Sequence, residues 1–368
     1  MTRSPSQQQA ARADAAAACA RPVAQGHRDF FIGVEATRHC NLRCAHCFRA
    51  DLDRVSEIPL ETVRSLLEQA RRYHRPHIAL TGGEATLHSR FPELLELIIA
   101  QGYSFHYVTN GYNFQQTFRR LFHLLGHPLW IGVSVSLDGA SAATQEAVRG
   151  PGTYAQALGA IAVARTHDLE VVVQMVVHRG NRAELEAMAL LCGRMNVSRL
   201  HIAHLQPTPH AVSHGLLPSP AETRAIEREV ADLQGRFRLP IVLSAGFYDQ
   251  TPIAHCRFLK LGALHFDYQG RLLTCCQLSN LEGSSGAAEV VADLAEVPLE
   301  QAHELLLDNY QQLFRARLRR LQQGTLHDLD NFHCWSCAKH YGKVDWMSAF
   351  PDNAWVRDDP YFQPRVRR

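Results

Sequence analysis

From residue 30 onward, short apolar runs alternate with stretches whose apolar residues recur every three to four positions. The first run, Phe31-Ile32-Gly33-Val34-Glu35-Ala36, reads as a strand that ends just before a group of cysteines. Leu60, Val63, Leu66, Leu67 and Ala70 follow at helical spacing. The pattern then predicts strands over 77–81, 104–109, 130–136, 169–177 and 199–205. Helices over 91–101, 114–125, 154–166 and 182–195 fall between them. Six β/α alternations argue for an α/β fold with a parallel sheet and crossover helices. The count falls short of an eightfold barrel, so a partial (β/α)6 barrel is expected. Functional residues then belong at the C-terminal ends of the strands.

After Leu205 the texture changes. Pro207, Pro209, Pro218 and Pro220 mark a connection. Ser219-Pro220-Ala221-Glu222 has the chemistry of a helix start, with Ser as N-cap, Pro at N1 and Glu at N3. That helix is expected to reach Gln234. The runs 265–267 and 271–275, joined through Tyr268-Gln269-Gly270, predict a β-hairpin. Gly283-Ser284-Ser285-Gly286 reads as a flexible loop. The stretch 299–322 predicts a long amphipathic helix or helix pair, Arg-rich at its end. No internal repeat is found.

Composition narrows the function classes. A chain of 368 residues, 46% hydrophobic, can bury a sizeable core. A net charge of +2 shows no basic excess for nucleic acid and no acidic tail. The first 25 residues, rich in Ala, Gln and Arg, contain no Leu/Ile/Val run and read as a disordered leader. No 18-residue apolar run exists, so no membrane span is expected and the cytoplasm is the expected compartment. Ten cysteines in a chain this long fit metal binding better than a disulfide scaffold.

Three of those cysteines, Cys40, Cys44 and Cys47, have C-x3-C-x2-C spacing after the first predicted strand. A [4Fe–4S] cluster bound by three thiolates leaves one iron open, whereas a structural zinc site closes with four ligands. Polar turns follow the next strands: Gly82-Gly83-Glu84, Thr109-Asn110-Gly111 and Ser136-Leu137-Asp138-Gly139. Each alone is an ordinary turn signal. Their shared address at one rim is the informative feature. Over roughly 30–205 the sequence resembles the radical S-adenosylmethionine (SAM) enzymes: Cys40, Cys44 and Cys47 match the cluster loop, and Gly82-Gly83-Glu84 the GGE element. The position before the last cysteine, often aromatic in that family, is His46 here.

The resemblance implies that SAM chelates the open iron and is cleaved to a 5′-deoxyadenosyl radical that takes hydrogen from a substrate. It implies close approach of the Gly82-Gly83-Glu84 backbone to the SAM amino group. Asn110, Ser136 and Asp138 are candidate polar contacts near the ribose. Arg149 resembles a position near the SAM carboxylate, with a surface arginine as its other reading. For Gln174 and Leu205, core packing is favoured over an adenine contact.

The second cysteine group is Cys256, Cys275, Cys276, Cys334 and Cys337. Gly270 at the hairpin turn lets the chain reverse between Cys256 and Cys275. The arrangement C-x13-G-x4-C followed by C-x2-C resembles the twitch domain, the shortened SPASM form. That resemblance implies one auxiliary iron–sulfur cluster held by Cys256, Cys275, Cys334 and Cys337. Cys276 could replace Cys275, although the G-x4-C count favours Cys275. By ligand type alone the four thiolates could equally hold zinc. Cys19 and Cys192 look spare.

The domains expected are a leader over 1–27, a radical SAM core over 28–215, a linking helix and strand over 216–250, a twitch/SPASM-like domain over 251–350 and a tail over 351–368. The function expected is hydrogen abstraction in peptide maturation. A small-molecule dehydrogenase or cofactor-biosynthesis step is the alternative among enzymes, and a non-catalytic iron–sulfur electron-transfer protein the rival from another class. Partners would be a peptide or small-molecule substrate and a reductant protein such as flavodoxin or ferredoxin. His201, His204, His265 and His340 lie near the predicted sites, and none is assigned as acid or base.

Overall fold

The computed structural model describes residues 30–49, 52–244, 247–250, 256–279, 281 and 287–363. The expected leader, Cys19 and the 283–286 loop lie outside the described residues. The six expected strands are present: β1 (Phe31–Thr37), β2 (His77–Gly82), β3 (Phe105–Thr109), β4 (Trp130–Ser136), β5 (Glu170–Val177) and β6 (Arg199–His204). They lie side by side in chain order, every neighbouring pair parallel.

Crossover helices explain that order: α1 (Leu60–Ala70), α2 (Phe91–Ala100), α3 (Phe114–Arg120), α4 (Ala142–Arg149), α5 (Thr153–Thr166) and α6 (Leu185–Arg194). Strand alternation supplies the face they cover. In β5, Val171, Val173, Met175 and Val177 are buried while the residues between them are less so. Val63, Leu66, Leu67 and Ala70 form the matching stripe of α1. Helix α4 escaped the sequence reading. Its eight residues start at the Ser141 N-cap, whose side chain accepts from the Thr144 N–H.

The sheet runs on past both ends of the expected six. A short helix, α7 (Pro209–Ser213), leads to α8 (Pro220–Arg236), which opens with a capping box between Ser219 and Glu222, and β7 (Ile241–Leu243) then adds in parallel to β6. On the other side, β8 (Ala263–Phe266) pairs parallel with β1, from Phe31↔Ala263 to Val34↔Phe266. The hairpin partner β9 (Arg271–Leu273) and then β10 (Val290–Asp293) follow antiparallel. One ten-stranded sheet results, in the order β10-β9-β8-β1-β2-β3-β4-β5-β6-β7. The expected hairpin is therefore continuous with the barrel sheet. Hydrophobic periodicity marks a strand but does not name its partner, so this pairing was not readable in the sequence.

The expected long helix is a single one, α9 (Leu299–Gln322), followed by α10 (His333–His340) and α11 (Ala354–Arg357). A second core joins this C-terminal region to the connection after β6. It contains Leu205, Ala211, Leu217, Leu278, Phe332, Trp335 and Trp355. The expected tail is part of that core up to its last described residues, because Trp355 is 2% exposed and donates its indole N–H to Pro218 O at 2.7 Å. Among the described residues, no helix is long and apolar enough to cross a membrane.

Candidate functional site

The cysteine loop leaves β1 at the C-terminal edge of the sheet and is fixed by backbone contacts. Arg38 N–H donates to Ser56 O at 2.9 Å, and Ala45 N–H to Val148 O, at the end of α4, at 2.8 Å. Within the loop, Cys47 N–H donates to Cys44 O at 3.0 Å and Leu42 N–H points at Cys40 Sγ at 3.4 Å. All three cysteines are half-buried. Burial pushes the Cys40 thiol up to about 11 and the Cys44 thiol up to about 12, with the Arg149 charge opposing the rise at Cys44. Thiols so placed need compensating positive charge to serve as thiolates.

Gly82-Gly83-Glu84 lies directly on the lead-in to this loop. Gly83 N–H donates to Thr37 O and Glu84 N–H to His39 O, both at 2.7 Å. A Cβ at Gly82 would lie 2.3 Å from Thr37 O, and one at Gly83 would lie 2.3 Å from His39 O. Gly82 also has φ +142°, open chiefly to glycine. The glycine pair is thus required for packing against the chain's own cysteine loop. The sequence reading had looked only to the approach of a ligand.

Glu84 is 1% exposed and works inward. Its carboxylate accepts from Asn110 N–H at 2.7 Å and from the Thr86 hydroxyl at 2.7 Å. Burial raises its pKa, and these donors oppose the rise. Asn110 in turn donates from Nδ2 to Asn41 Oδ1 in the cysteine loop at 3.0 Å. The ends of β2 and β3 are thereby tied to the loop.

Asp138, expected near the ribose, follows the end of β4. It is fully buried. One carboxylate oxygen accepts from Val176 N–H at 2.8 Å; the other meets Arg149 Nε at 2.5 Å and His46 Nε2 at 3.0 Å. Burial would raise its pKa, but the Arg149 and His46 charges hold it well below the usual carboxylate range. Both oxygens are engaged in tying the cysteine loop to β5 and α4. Arg149 is likewise a buried partner rather than a surface arginine. Ser136 is half-buried at the end of β4, its side chain on the face opposite Val135.

Two participants, His178 and Glu35, were missed, and His46 was noted without its partner. His46 is the loop's polar handle on Asp138. His178, 1% exposed beyond β5, lies 6.2 Å from the His46 ring and accepts the Gly180 N–H at 3.0 Å; burial lowers its pKa to about 4. Glu35 on β1 meets His265 at 3.0 Å and pairs with Arg49 beside Cys47. Burial would raise the Glu35 pKa, but Arg49 and His265 hold it at about 2. An acidic residue inside an otherwise apolar strand was the available signal for Glu35. His204 is a packing residue between Phe247 and Trp355, and His340 stacks edge-on against Tyr341. Leu205 belongs to the second core, and Cys192 is buried on α6.

The second cysteine group converges. Cys256, Cys275, Cys334 and Cys337 line one cavity with Gln206, Phe258, Leu259 and Leu278. Cys256 precedes β8, Cys275 follows β9, and Cys334 and Cys337 occupy successive turns of α10. Cys276 is absent from this lining and lies instead against Cys275 as a hydrogen-bond partner. Burial drives the Cys256 thiol up to about 11, and the neighbouring thiols add to the rise. N–H groups nevertheless point at the sulfurs, including Gln277 N–H at 3.4 Å from Cys275 Sγ. Soft donors around a shared space, met by N–H groups, fit a metal–sulfur centre.

Residues 34–192 match the family model of the radical SAM superfamily. The mycofactocin maturase MftC of Mycobacterium tuberculosis is 28% identical over 176 residues, 47% of this chain and 44% of the relative. The PqqA peptide cyclase of a Methylobacterium species is 26% identical over 267 residues, 68% of this chain and 67% of the relative. The pre-heme d1 synthase of Dinoroseobacter shibae is 29% identical over 186 residues, 50% and 45% of the two chains. The chain thus spans less than half the length of MftC. Among solved structures, Streptococcus suis SuiB bound to its precursor peptide SuiA superposes with a TM-score of 0.57 at 15% identity, over 82% of this chain and 70% of that one. The structure of anSMEcpe with bound AdoMet and a peptide gives 0.60 at 15% identity, over 77% and 83%. At such identities the likeness is one of fold.

Proposed function

We propose, from the match of residues 34–192 to the radical SAM superfamily model, that this chain cleaves SAM reductively and abstracts hydrogen from a peptide substrate. The superfamily uses a [4Fe–4S] cluster and SAM; bound here, they would supply a 5′-deoxyadenosyl radical able to attack an unactivated C–H bond. Cys40, Cys44 and Cys47 are the residues to hold that cluster. One observation carries the reading: the Gly82-Gly83-Glu84 turn packs on the backbone of the three-cysteine loop with no room for a side chain.

The chain's own residues orient and enclose this site. Gly83 and Glu84 set the loop's entry through their N–H groups. Glu84 holds the end of β3 through Asn110. Asp138 binds His46 and holds Arg149 in place. Arg149 supplies positive charge beside Cys44, offsetting the burial that disfavours its thiolate. Ser136 has the exposure for a ligand contact, while Asp138 serves as an anchor.

Cys256, Cys275, Cys334 and Cys337 are assigned to one auxiliary iron–sulfur cluster. The C-x13-G-x4-C and C-x2-C arrangement of these thiols, which resembles the twitch domain, supports iron–sulfur over zinc. In this division 28–215 houses the radical chemistry, 216–250 links, and 251–350 carries the second centre as a receiver of the substrate's electron.

A peptide substrate is supported by the maturase and peptide cyclase among the relatives. The pre-heme d1 synthase likeness favours a second reading, a cofactor-precursor substrate. An electron donor of the flavodoxin or ferredoxin kind and a reducing cytoplasm complete the proposal. The test is anaerobic incubation of the reconstituted chain with SAM, reductant and candidate peptides, followed by mass spectrometry. Formation of 5′-deoxyadenosine together with a peptide lacking two hydrogens, or cross-linked, is expected. No 5′-deoxyadenosine under any condition would overturn the reading.

A further inference from the structure

The β8–β9 hairpin lies between Cys256 and Cys275 of the second thiol group, yet its side chains reach the first cysteine loop from both sides. On the entry side stands Arg38, two residues before Cys40. Its Nη1 donates to the Tyr268 hydroxyl at 2.9 Å, and its guanidinium carbon lies 5.0 Å from the centre of the Tyr268 ring. The cation over the aromatic face adds to the hydrogen bond. Tyr268 belongs to the hairpin turn, which Asp267 holds in shape. The buried Asp267 carboxylate accepts the Gln269 and Arg271 N–H groups, both at 2.9 Å.

On the exit side stands Arg49, two residues after Cys47. Its side chain pairs with Glu35, and its backbone forms an antiparallel bridge with Leu281, beyond β9. Glu35 in turn accepts from His265 Nε2, on β8, at 3.0 Å. The Glu35, Arg49 and His265 side chains are 1%, 6% and 3% exposed. This contact depends on a glycine. His265 lies opposite Gly33 in the β1–β8 register, and a Cβ at Gly33 would lie 2.5 Å from His265 Nδ1. With no Cβ there, the imidazole has room to lie over β1 and reach Glu35.

Given the assignment of Cys40, Cys44 and Cys47 to the cluster that takes SAM, on which this rests, we propose that Tyr268 and His265 are positioning residues of the first site. From the hairpin they clamp the entry and the exit of the Cys40–Cys47 loop, and the clamp sets how tightly the site takes SAM. A loop that spends part of its time in other conformations binds with an affinity reduced by the competent fraction. The hairpin keeps that fraction high.

The test measures hydrogen exchange over residues 38–49 on the full chain, and SAM affinity on the reconstituted protein by EPR titration. Tyr268→Phe keeps the ring and loses the hydroxyl, whereas Tyr268→Leu loses both. His265→Gln keeps an N–H for Glu35, whereas His265→Leu loses it. Gln269→Ala, at an exposed residue of the same turn, is the control. Exchange over 38–49 should be about fivefold faster in the two Leu variants, the effect of one lost hydrogen bond on local opening. The rise should be smaller in Tyr268→Phe and His265→Gln and absent in Gln269→Ala, with β4 to β6 unchanged in all. The SAM dissociation constant should rise in the same order. Unchanged exchange over 38–49 in both Leu variants, an equal rise over β4 to β6, an equal effect in Gln269→Ala, or SAM affinity untouched while the loop opens would overturn the proposal. Should the Leu variants not fold, Tyr268→Phe and His265→Gln decide by the same criteria. An unchanged chain that takes up iron but binds no SAM would instead overturn the assignment of the first site.

Discussion

Replacing Asp138 by Asn isolates the anchor beneath the cysteine loop. The amide has nearly the shape of the carboxylate and keeps an oxygen for the Val176 N–H. What it loses is charge. The Asp138, His46 and Arg149 side chains are 0%, 5% and 10% exposed, so solvent cannot replace the lost partner. Breaking a buried ion pair from one side costs about 3–5 kcal/mol, because the remaining charge stays buried and uncompensated. Against a total stability of about 5–15 kcal/mol, that is a large fraction. Anaerobic urea unfolding should therefore show a markedly lower midpoint for Asp138→Asn, and the variant should retain less iron at the first site. Arg149→Met leaves the carboxylate unpaired and should also destabilise. Residues in direct contact couple by about 0.5–3 kcal/mol, so the double variant should cost less than the two single changes together. A loss under about 1 kcal/mol for Asp138→Asn, or strict additivity, would refute the picture of a charge-bound anchor.

Two further outcomes follow from the same region. Gly83→Ala forces a Cβ to 2.3 Å from His39 O; overpacking costs about 1–3 kcal/mol and each lost hydrogen bond about 1 kcal/mol, so calorimetry should show reduced stability together with weaker iron retention. Glu35 is held at about 2 against an ordinary 4.5; a carboxyl depressed on folding stabilises above its unfolded pKa, so about 3 kcal/mol present at neutral pH should be lost as pH falls from about 4.5 toward 2. Glu35→Gln should flatten that part of the acid unfolding curve, and an unchanged curve would contradict the Glu35–Arg49 pairing.

Much of this architecture was legible before the structure. The period-two strand pattern and the spacing from Leu60 to Ala70 placed the parallel core. The Ser219 capping box emerged as expected because its chemistry is local. Pairing of β8 with β1 was not readable, since it joins segments some 230 residues apart. The candidate site divides the same way. Cysteine spacing and the glycine pair are local signals. His46 as a partner of Asp138, Gln206 beside Cys334 and the burial of Trp355 depend on tertiary contacts, which no local pattern encodes. The sequence reading located the glycine pair but missed its steric reason, because His39 O is visible only once the loop is folded back.

The central claim is that this chain holds one thiolate site left open for SAM and one closed site that is not. EPR of the reduced, reconstituted protein with and without SAM tests it most directly, on two variants. One carries Cys40, Cys44 and Cys47 changed to Ala; the other carries Cys334 and Cys337 changed to Ala. Each should keep about half the iron of the unchanged chain. SAM should alter the spectrum of the second variant and leave that of the first untouched. A SAM-induced change in the variant lacking Cys40, Cys44 and Cys47, or iron unchanged by either substitution, would contradict the account.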